Sequence, residues 1–134
     1  MADKKDLSQD AKDLAAFRAT YVALFGTLPA LPAARFEFSG ETDPQALLLL
    51  ERLRAHAFHS DVFDAKTTNL ILFGMLLVEH LPAAQVHALA ARRAGASWRE
   101  LHKVVELASA TGALAPANQG SALLKALRDQ EQGG

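Results

Sequence analysis

The 134-residue chain has the length of one domain and is large enough to bury a hydrophobic core. Its formal net charge is −1, so it lacks the excess of basic residues typical of nucleic-acid-binding proteins. No stretch reaches the roughly 18 apolar residues of a membrane span. Because the chain has no cysteine, disulfides, thiolate metal sites and thiol peroxidase chemistry are excluded. The polar start, without the apolar core of a signal peptide, favours a soluble cytoplasmic protein that binds neither nucleic acid nor membrane.

Alanine and leucine supply 49 of the residues, and both are strong helix formers. We therefore predict an all-α, single-domain bundle of about six helices over residues 1–134, with 1–6 and 130–134 frayed. The first helix should begin at Ser8 or Asp10 and end near Phe25. Residues 36–40 are predicted to form a loop or a brief extended segment, after a short helical turn.

The pair Asp43–Pro44 is a strong helix start, with an N-cap followed by proline at the first helical position. The helix should run to His56 or Phe58. Its run Leu47–Leu50 is apolar on every face, so either the domain covers both sides or one side meets another subunit.

Asp64 is the next predicted N-cap, and it opens a helix that is apolar nearly all round through Leu70–Val78. We expect this to be the central helix. Proline deep in a helix is costly, so a break is predicted at residues 79–81, with a new helix over Pro82–Ala94 that ends at Gly95.

The segment Ser97–Glu100 has the form of a capping box and predicts another helix start. This helix is expected to reach Thr111 and to end at Gly112. A last helix is predicted over Pro116–Arg128.

Glu79, His80 and His87 place ionisable groups in an otherwise apolar region. His87 has small alanines around it, which leave room for close helix packing or for a ligand. It is either a core histidine bonded to a carbonyl or a catalytic group. His80, next to a predicted helix N-terminus, would be neutral and able to act as a general base or acid. Glu79 could orient His80 or act as a second acid or base. Otherwise it merely lies near the helix start, where its negative charge favours the helix dipole.

A metal site is not predicted here. In one helix His80 and His87 would be about 10.5 Å apart along the axis, too far to share a zinc ion. A break at Pro82 could shorten this distance, but zinc motifs on helices use spacings of three or four residues, so we still do not predict a shared ion. His56 could face the site from a neighbouring helix, and Trp98 could be an aromatic residue of the binding site or of an interface. We therefore predict His87, His80 and Glu79 as catalytic, and His56 and Trp98 as substrate-binding.

Several segments resemble, in order and spacing, the carboxymuconolactone decarboxylase and alkylhydroperoxidase D superfamily. Val62–Thr67 resembles the motif that opens the central helix of the family. His87 followed by Gly95–Leu101 resembles its histidine and Gly-Ala-Thr-x-x-Glu-Ile segment. Thr111–Ala117 is similar to the start of its last helix. The resemblance covers roughly Tyr21–Leu127.

This chain departs from the peroxidase members at their key positions. His80 and Ala83 stand in the two cysteine slots, and Asn69 stands where those members carry a glutamate. The chain thus resembles the cysteine-free branch, which includes the lactone decarboxylases. The resemblance implies an alkylhydroperoxidase D-like bundle that assembles as a trimer or hexamer, with binding sites near subunit contacts.

The first functional hypothesis is a cofactor-free lyase (decarboxylase) or isomerase that acts on a small carboxylated, lactone-like substrate. His87 or His80 would protonate the dienolate carbon, in an apolar cavity expected to be lined by Leu70–Val78. The alternative is a non-catalytic ligand-binding or structural oligomer of the same fold.

Overall fold

The computed structural model describes residues 4–134, with side chains described from residue 8 onward. Within this range there are six helices and no strand, which confirms the all-α prediction. The helices are α1 (Lys4–Phe25), α2 (Ala30–Thr42), α3 (Pro44–Phe58), α4 (Ala65–Val78), α5 (Ala84–Arg93) and α6 (Trp98–Gly133). None of the six is both long and apolar enough to cross a bilayer.

Side-chain caps start three of the helices where the sequence predicts them. Asp43 and Asp64 each accept a hydrogen bond from the backbone N–H three residues further on, at 3.1 and 2.7 Å. At α6, Ser97 accepts from the Glu100 N–H while the Glu100 carboxylate accepts from the Ser97 N–H. Each cap satisfies donors that a helix start would otherwise leave without a partner.

The predicted loop at residues 36–40 is wrong, because α2 runs through it as helix. Phe36 is buried, and its ring packs edge-on against Tyr21 with 5.8 Å between centroids. Helical geometry places Phe36 against α1, and burial of a large aromatic side chain outweighs the weak helix propensity of its neighbours.

The helix is interrupted at residues 79–81, as the sequence predicts. The next helix, α5, begins at Ala84 and not at Pro82. Pro82 lies in a turn. His80 adopts a left-handed backbone conformation with φ 57° in the turn between the two helices.

The prediction of two separate C-terminal helices is also wrong. α6 is one helix of 36 residues that contains Gly112 and Pro116 and extends past Arg128 to Gly133. Beyond Ser109 nearly every side chain of α6 is exposed. No tertiary packing in the described part of the chain forces a turn at Gly112, so the backbone continues as helix despite the proline.

α5 is the helix that joins the two halves of the core. Its Ala90 packs with the aromatic cluster of α1 and α2, and its Ala91 packs with Ala96 and Leu101 at the start of α6. The expected central helix, α4, is covered on one side and exposes Ile71 and Met75 on the other. α5 therefore holds the central position, and alanines let its neighbours approach closely.

The leucine run of α3 is covered on one side by the rest of the chain. Leu47 and Leu48 are buried, whereas Leu49 and Leu50 are exposed. Of the two sequence-based alternatives for this run, coverage of both sides by the same domain is therefore wrong.

Candidate functional site

His87 lies on the buried face of α5 and is 6% exposed. Its side chain lines two adjoining cavities. The first, which we call the apolar cavity, has a volume of about 240 Å³ and is walled by Phe25, Leu31 and Phe58. The second, which we call the arginine cavity, has a volume of about 510 Å³. The residues common to both walls are Tyr21, Pro32, Arg54, Phe58 and His87.

A buried asparagine fixes the His87 ring. Asn69 of α4 donates its side-chain Nδ2 to the Ala65 carbonyl at 2.8 Å, and its Oδ1 lies 2.9 Å from His87 Nδ1. An amide oxygen can only accept, so the proton of this bond belongs to Nδ1. The neutral ring therefore carries its lone pair on Nε2, the nitrogen that acts as a base.

Two aromatic rings enclose the imidazole edge-on. Phe25 and Phe58 lie 5.3 and 5.8 Å from it, centroid to centroid. Burial, and next the positive charge of Arg54, lower the pKa of His87 from 6.5 to about 4. Two buried side-chain atoms lack a hydrogen-bond partner, Arg35 Nε and Arg54 Nη1, and His87 Nε2 is not one of them. The ring lines both cavities and its Nδ1 is bonded to Asn69, so Nε2 is the ring nitrogen left for a ligand, and at pH 7 it carries no proton.

An ionic cluster forms the wall of the arginine cavity. Glu51 of α3 is 0% exposed, and its Oε1 accepts from Tyr21 Oη at 2.7 Å and from Arg35 Nη2 at 2.5 Å. Its Oε2 accepts from Arg54 Nε at 2.9 Å. Burial, and next the hydrogen bond to Glu51, raise the pKa of Tyr21 to about 12, so this phenol stays neutral. The sequence analysis did not identify this cluster. Its one local signal is a glutamate placed directly after four leucines.

The other predicted site residues do not line either His87 cavity. Glu79 and His80 are exposed in the turn after α4, and His80 lines a separate depression against α6. His56 is exposed on α3. Trp98 is 73% exposed at the start of α6, where the Arg92 guanidinium lies 4.4 Å from its ring centroid. Of the five predicted site residues, His87 is thus the one that reaches the cavities.

The expectation that Leu70–Val78 lines the site is wrong. Those side chains border a groove between α4 and α6, together with Val104 and Leu107. The walls around His87 come instead from α1, α3 and the start of α2. The site therefore has one apolar side and one ionic side, where the sequence predicted an apolar hollow. Among residues 4–134 no group of three or more His, Asp or Glu side chains is placed to hold a metal ion.

No family model, no curated protein and no solved structure matches this chain. The geometry around His87 is therefore the basis for a functional assignment.

Proposed function

We propose that this chain is a cofactor-free lyase or isomerase that uses His87 to transfer a proton on a small carboxylated, lactone-like substrate. The observation that carries the proposal is a neutral imidazole, held at Nδ1 by Asn69, whose Nε2 is open at the junction of two cavities. A base that is positioned and unprotonated is the minimum requirement for proton transfer next to a carbonyl group.

In the isomerase form, Nε2 takes a proton from one carbon of the substrate and returns it to another. In the decarboxylase form, Nε2 first takes a proton from water. The bond to the carboxylate carbon then breaks, carbon dioxide leaves, and the electron pair of that bond passes into a dienolate, which takes the proton from Nε2 and returns His87 to its neutral form. Burial is the larger cause of the lowered pKa of His87, and the positive charge of Arg54 is the smaller one. An anionic substrate beside the ring opposes the effect of Arg54 and so favours protonation of the imidazole.

The resemblance of the segments around His87 and Gly95–Leu101 to carboxymuconolactone decarboxylases supports the same proposal. The cysteine-free sequence supports the lyase branch over the peroxidase branch. The cavity volume of about 240 Å³ also suits a small ring rather than a large substrate.

The decisive variant is His87→Gln, because glutamine retains an N–H that can bond to Asn69 but has no basic nitrogen. We expect its turnover of carboxylated unsaturated lactones to fall by about 100-fold or more. The assay follows carbon dioxide release and loss of the conjugated chromophore. His56→Gln is the matched control, since His56 is exposed and lines neither cavity. Unchanged turnover in His87→Gln would remove this residue from the mechanism.

The subunit also leaves apolar helix faces uncovered, which supports assembly with further copies of this chain. Leu49, Leu50 and Leu53 are exposed on α3, and Leu123, Leu124 and Leu127 are exposed on α6. Surfaces of this kind mark protein contacts. We propose a homo-oligomer, a trimer or a hexamer, in which the α3 face lies beside the arginine cavity. Light scattering measures the mass, and a monomer at micromolar concentration would refute this assembly.

The alternative function, a non-catalytic binding oligomer, uses the same cavities without chemistry. Calorimetry and a turnover assay on the wild-type protein distinguish the two functions. Binding of carboxylated lactones without release of carbon dioxide or of an isomer would support the non-catalytic alternative.

A further inference from the structure

The second half of α6 is not covered by the part of the chain that the structure describes. Residues 109–134 are exposed apart from the half-buried Gly120, and the segment 110–133 is about 36 Å long. It contains Gly112 and Pro116, and glycine and proline have the lowest helix propensities of all residues. Because helices in proteins are stabilised mostly by the packing of one face, we expect this segment to pack against another molecule.

One face of α6, which we call the α6 stripe, carries small and apolar residues on both sides of Pro116. Its members follow one another in steps of three or four residues, and they are Val105, Ser109, Gly112, Pro116, Gly120, Leu123 and Leu127. At 3.6 residues per turn they lie within about 80° of one another around the helix axis. The opposite face is polar and carries Lys125 and Asp129, which form an ion pair at 2.6 Å. The stripe is thus an exposed surface suited to another helix.

The α6 stripe matches a second copy of itself when two α6 helices run antiparallel, with a two-fold axis at Pro116. Residues equally far from Pro116 on its two sides then face each other. Leu127 of the partner subunit faces Val105, and Leu123 of the partner subunit faces Ser109. Each leucine thus meets a smaller side chain, which allows the two surfaces to interdigitate. A contact between two identical surfaces is the commonest form of subunit contact.

The structure has space for this contact on both sides of the axis. A recess of about 440 Å³ lies between the end of α4 and α6, and Val78, Val105, Ser109 and Gly112 are among its walls. The leucines of a second copy would enter this recess. A Cβ atom added to Gly112 or to Gly120 would meet no neighbouring atom within 4 Å, so two helix backbones can approach each other closely there.

Charges near the two ends of α6 favour the antiparallel direction. Arg99 lies near the start of the helix and Glu131 near its end, on the same edge of the α6 stripe. In the antiparallel pair Arg99 faces Glu131 of the partner subunit, and the contact is repeated at the other end. In a parallel pair each of these charges would face its own copy and be repelled. Flanking charges of this kind set the direction of paired helices.

We infer that α6 pairs with α6 of a second copy of this chain, antiparallel about Pro116, so that Leu123 and Leu127 of each copy fill the recess of the other. This contact is separate from His87 and from the α3 face. A two-fold contact joins subunits in pairs, so of the two assemblies proposed above it selects the hexamer and not the trimer.

Single cysteines report the pairing directly, because the chain has none of its own. We expect Pro116→Cys to form a disulfide-linked dimer on mild oxidation, since the two sulfur atoms meet at the axis. Ser109→Cys alone should not link, whereas Ser109→Cys combined with Leu123→Cys should. Lys125→Cys, on the opposite face, is the matched control. Linking of Ser109→Cys alone would show parallel helices, and no linking in Pro116→Cys or the double variant would show that the stripe is not a contact. Either result overturns the inference.

Light scattering tests the same contact without cysteines. We expect Leu127→Glu to halve the mass of the wild type at micromolar concentration, because it places a carboxylate in the recess. Leu89→Glu is the matched control, since Leu89 is also exposed but lies on α5. Circular dichroism confirms folding, and if Leu127→Glu does not fold, Gly120→Leu supplies the answer by filling the space between the backbones. An unchanged mass in the folded variant would contradict the pairing.

The α6 pairing and the proposed function fail separately. In the Pro116→Cys background, His87→Gln and Leu49→Glu should both leave the linked dimer in place. A wild type of two subunits whose Pro116→Cys variant links would refute the hexamer and leave the α6 pair standing. A wild type of three subunits, or a Pro116→Cys variant and a double variant that both fail to link, would refute the α6 pair and leave His87 untouched.

Discussion

Acidification should destabilise this protein through His87. The unfolded chain titrates this histidine near pH 6.5, whereas burial and the charge of Arg54 hold the pKa in the folded state at about 4. Between these values the unfolded state binds more protons, so the free energy of unfolding falls as the pH falls. The contribution is fully present above pH 6.5 and is lost as the pH drops towards 4.

The shift in pKa sets the size of this effect. A shift of this size corresponds to about 3 kcal/mol when the titration is complete, and to about 2 kcal/mol between pH 7 and pH 5. The second interval is the better one to use, because most carboxylates remain ionised at pH 5.

The assay compares urea unfolding of wild type with that of His87→Gln at pH 7, 6 and 5. Other titrating groups, including His59 with its lowered pKa, are common to both proteins and cancel in the difference. We expect the wild type to lose about 2 kcal/mol relative to the variant from pH 7 to pH 5. Parallel pH profiles would show that His87 is neither desolvated nor influenced by Arg54, and would refute the electrostatic account of the site.

Three further variants test the surroundings of the site and one helix cap. Asn69→Leu leaves the Nδ1–H of His87 without its acceptor, and we expect urea unfolding to show a loss of about 1–3 kcal/mol. Tyr21→Phe retains the ring but loses the hydroxyl between a carboxylate and a guanidinium, and we expect a similar loss of about 1.5–3 kcal/mol in the same assay. Ser97→Ala removes the α6 cap and should cost about 1 kcal/mol in thermal unfolding, whereas the exposed mid-helix control Ser109→Ala should stay within about 0.5 kcal/mol of wild type. An unchanged midpoint for Ser97→Ala would mean that the cap contributes nothing to stability.

The starts of α3, α4 and α6 were predictable because a capping side chain bonds to a backbone N–H only three residues further along the chain. Asp43, Asp64 and Ser97 each bond to a backbone N–H close by in sequence, so the local pattern contains all the information. The break before Pro82 follows from the same kind of local argument. His87 was identified because it is one of three ionisable side chains in an apolar stretch, because small alanines surround it, and because the segment resembles a known family.

The errors lie where distant parts of the chain decide the outcome. The helix through Phe36 depends on burial against α1, and the continuity of α6 past Gly112 depends on the lack of any described element that would turn it. Neither condition is visible in a window of neighbouring residues.

By itself, the sequence determined an all-helical chain, most of its helix boundaries and the exclusion of thiol chemistry. It also proposed three catalytic residues, His87, His80 and Glu79, and the structure places one of these, His87, at the cavities. Only the tertiary structure brought together Tyr21, Arg35, Glu51 and Arg54, which come from three helices and meet at hydrogen-bond distances around one buried carboxylate. The physical reason is that a guanidinium or a phenol on a helix surface has no chemistry of its own. Burial and the sharing of one carboxylate fix the protonation and the orientation of these groups, and packing alone sets both.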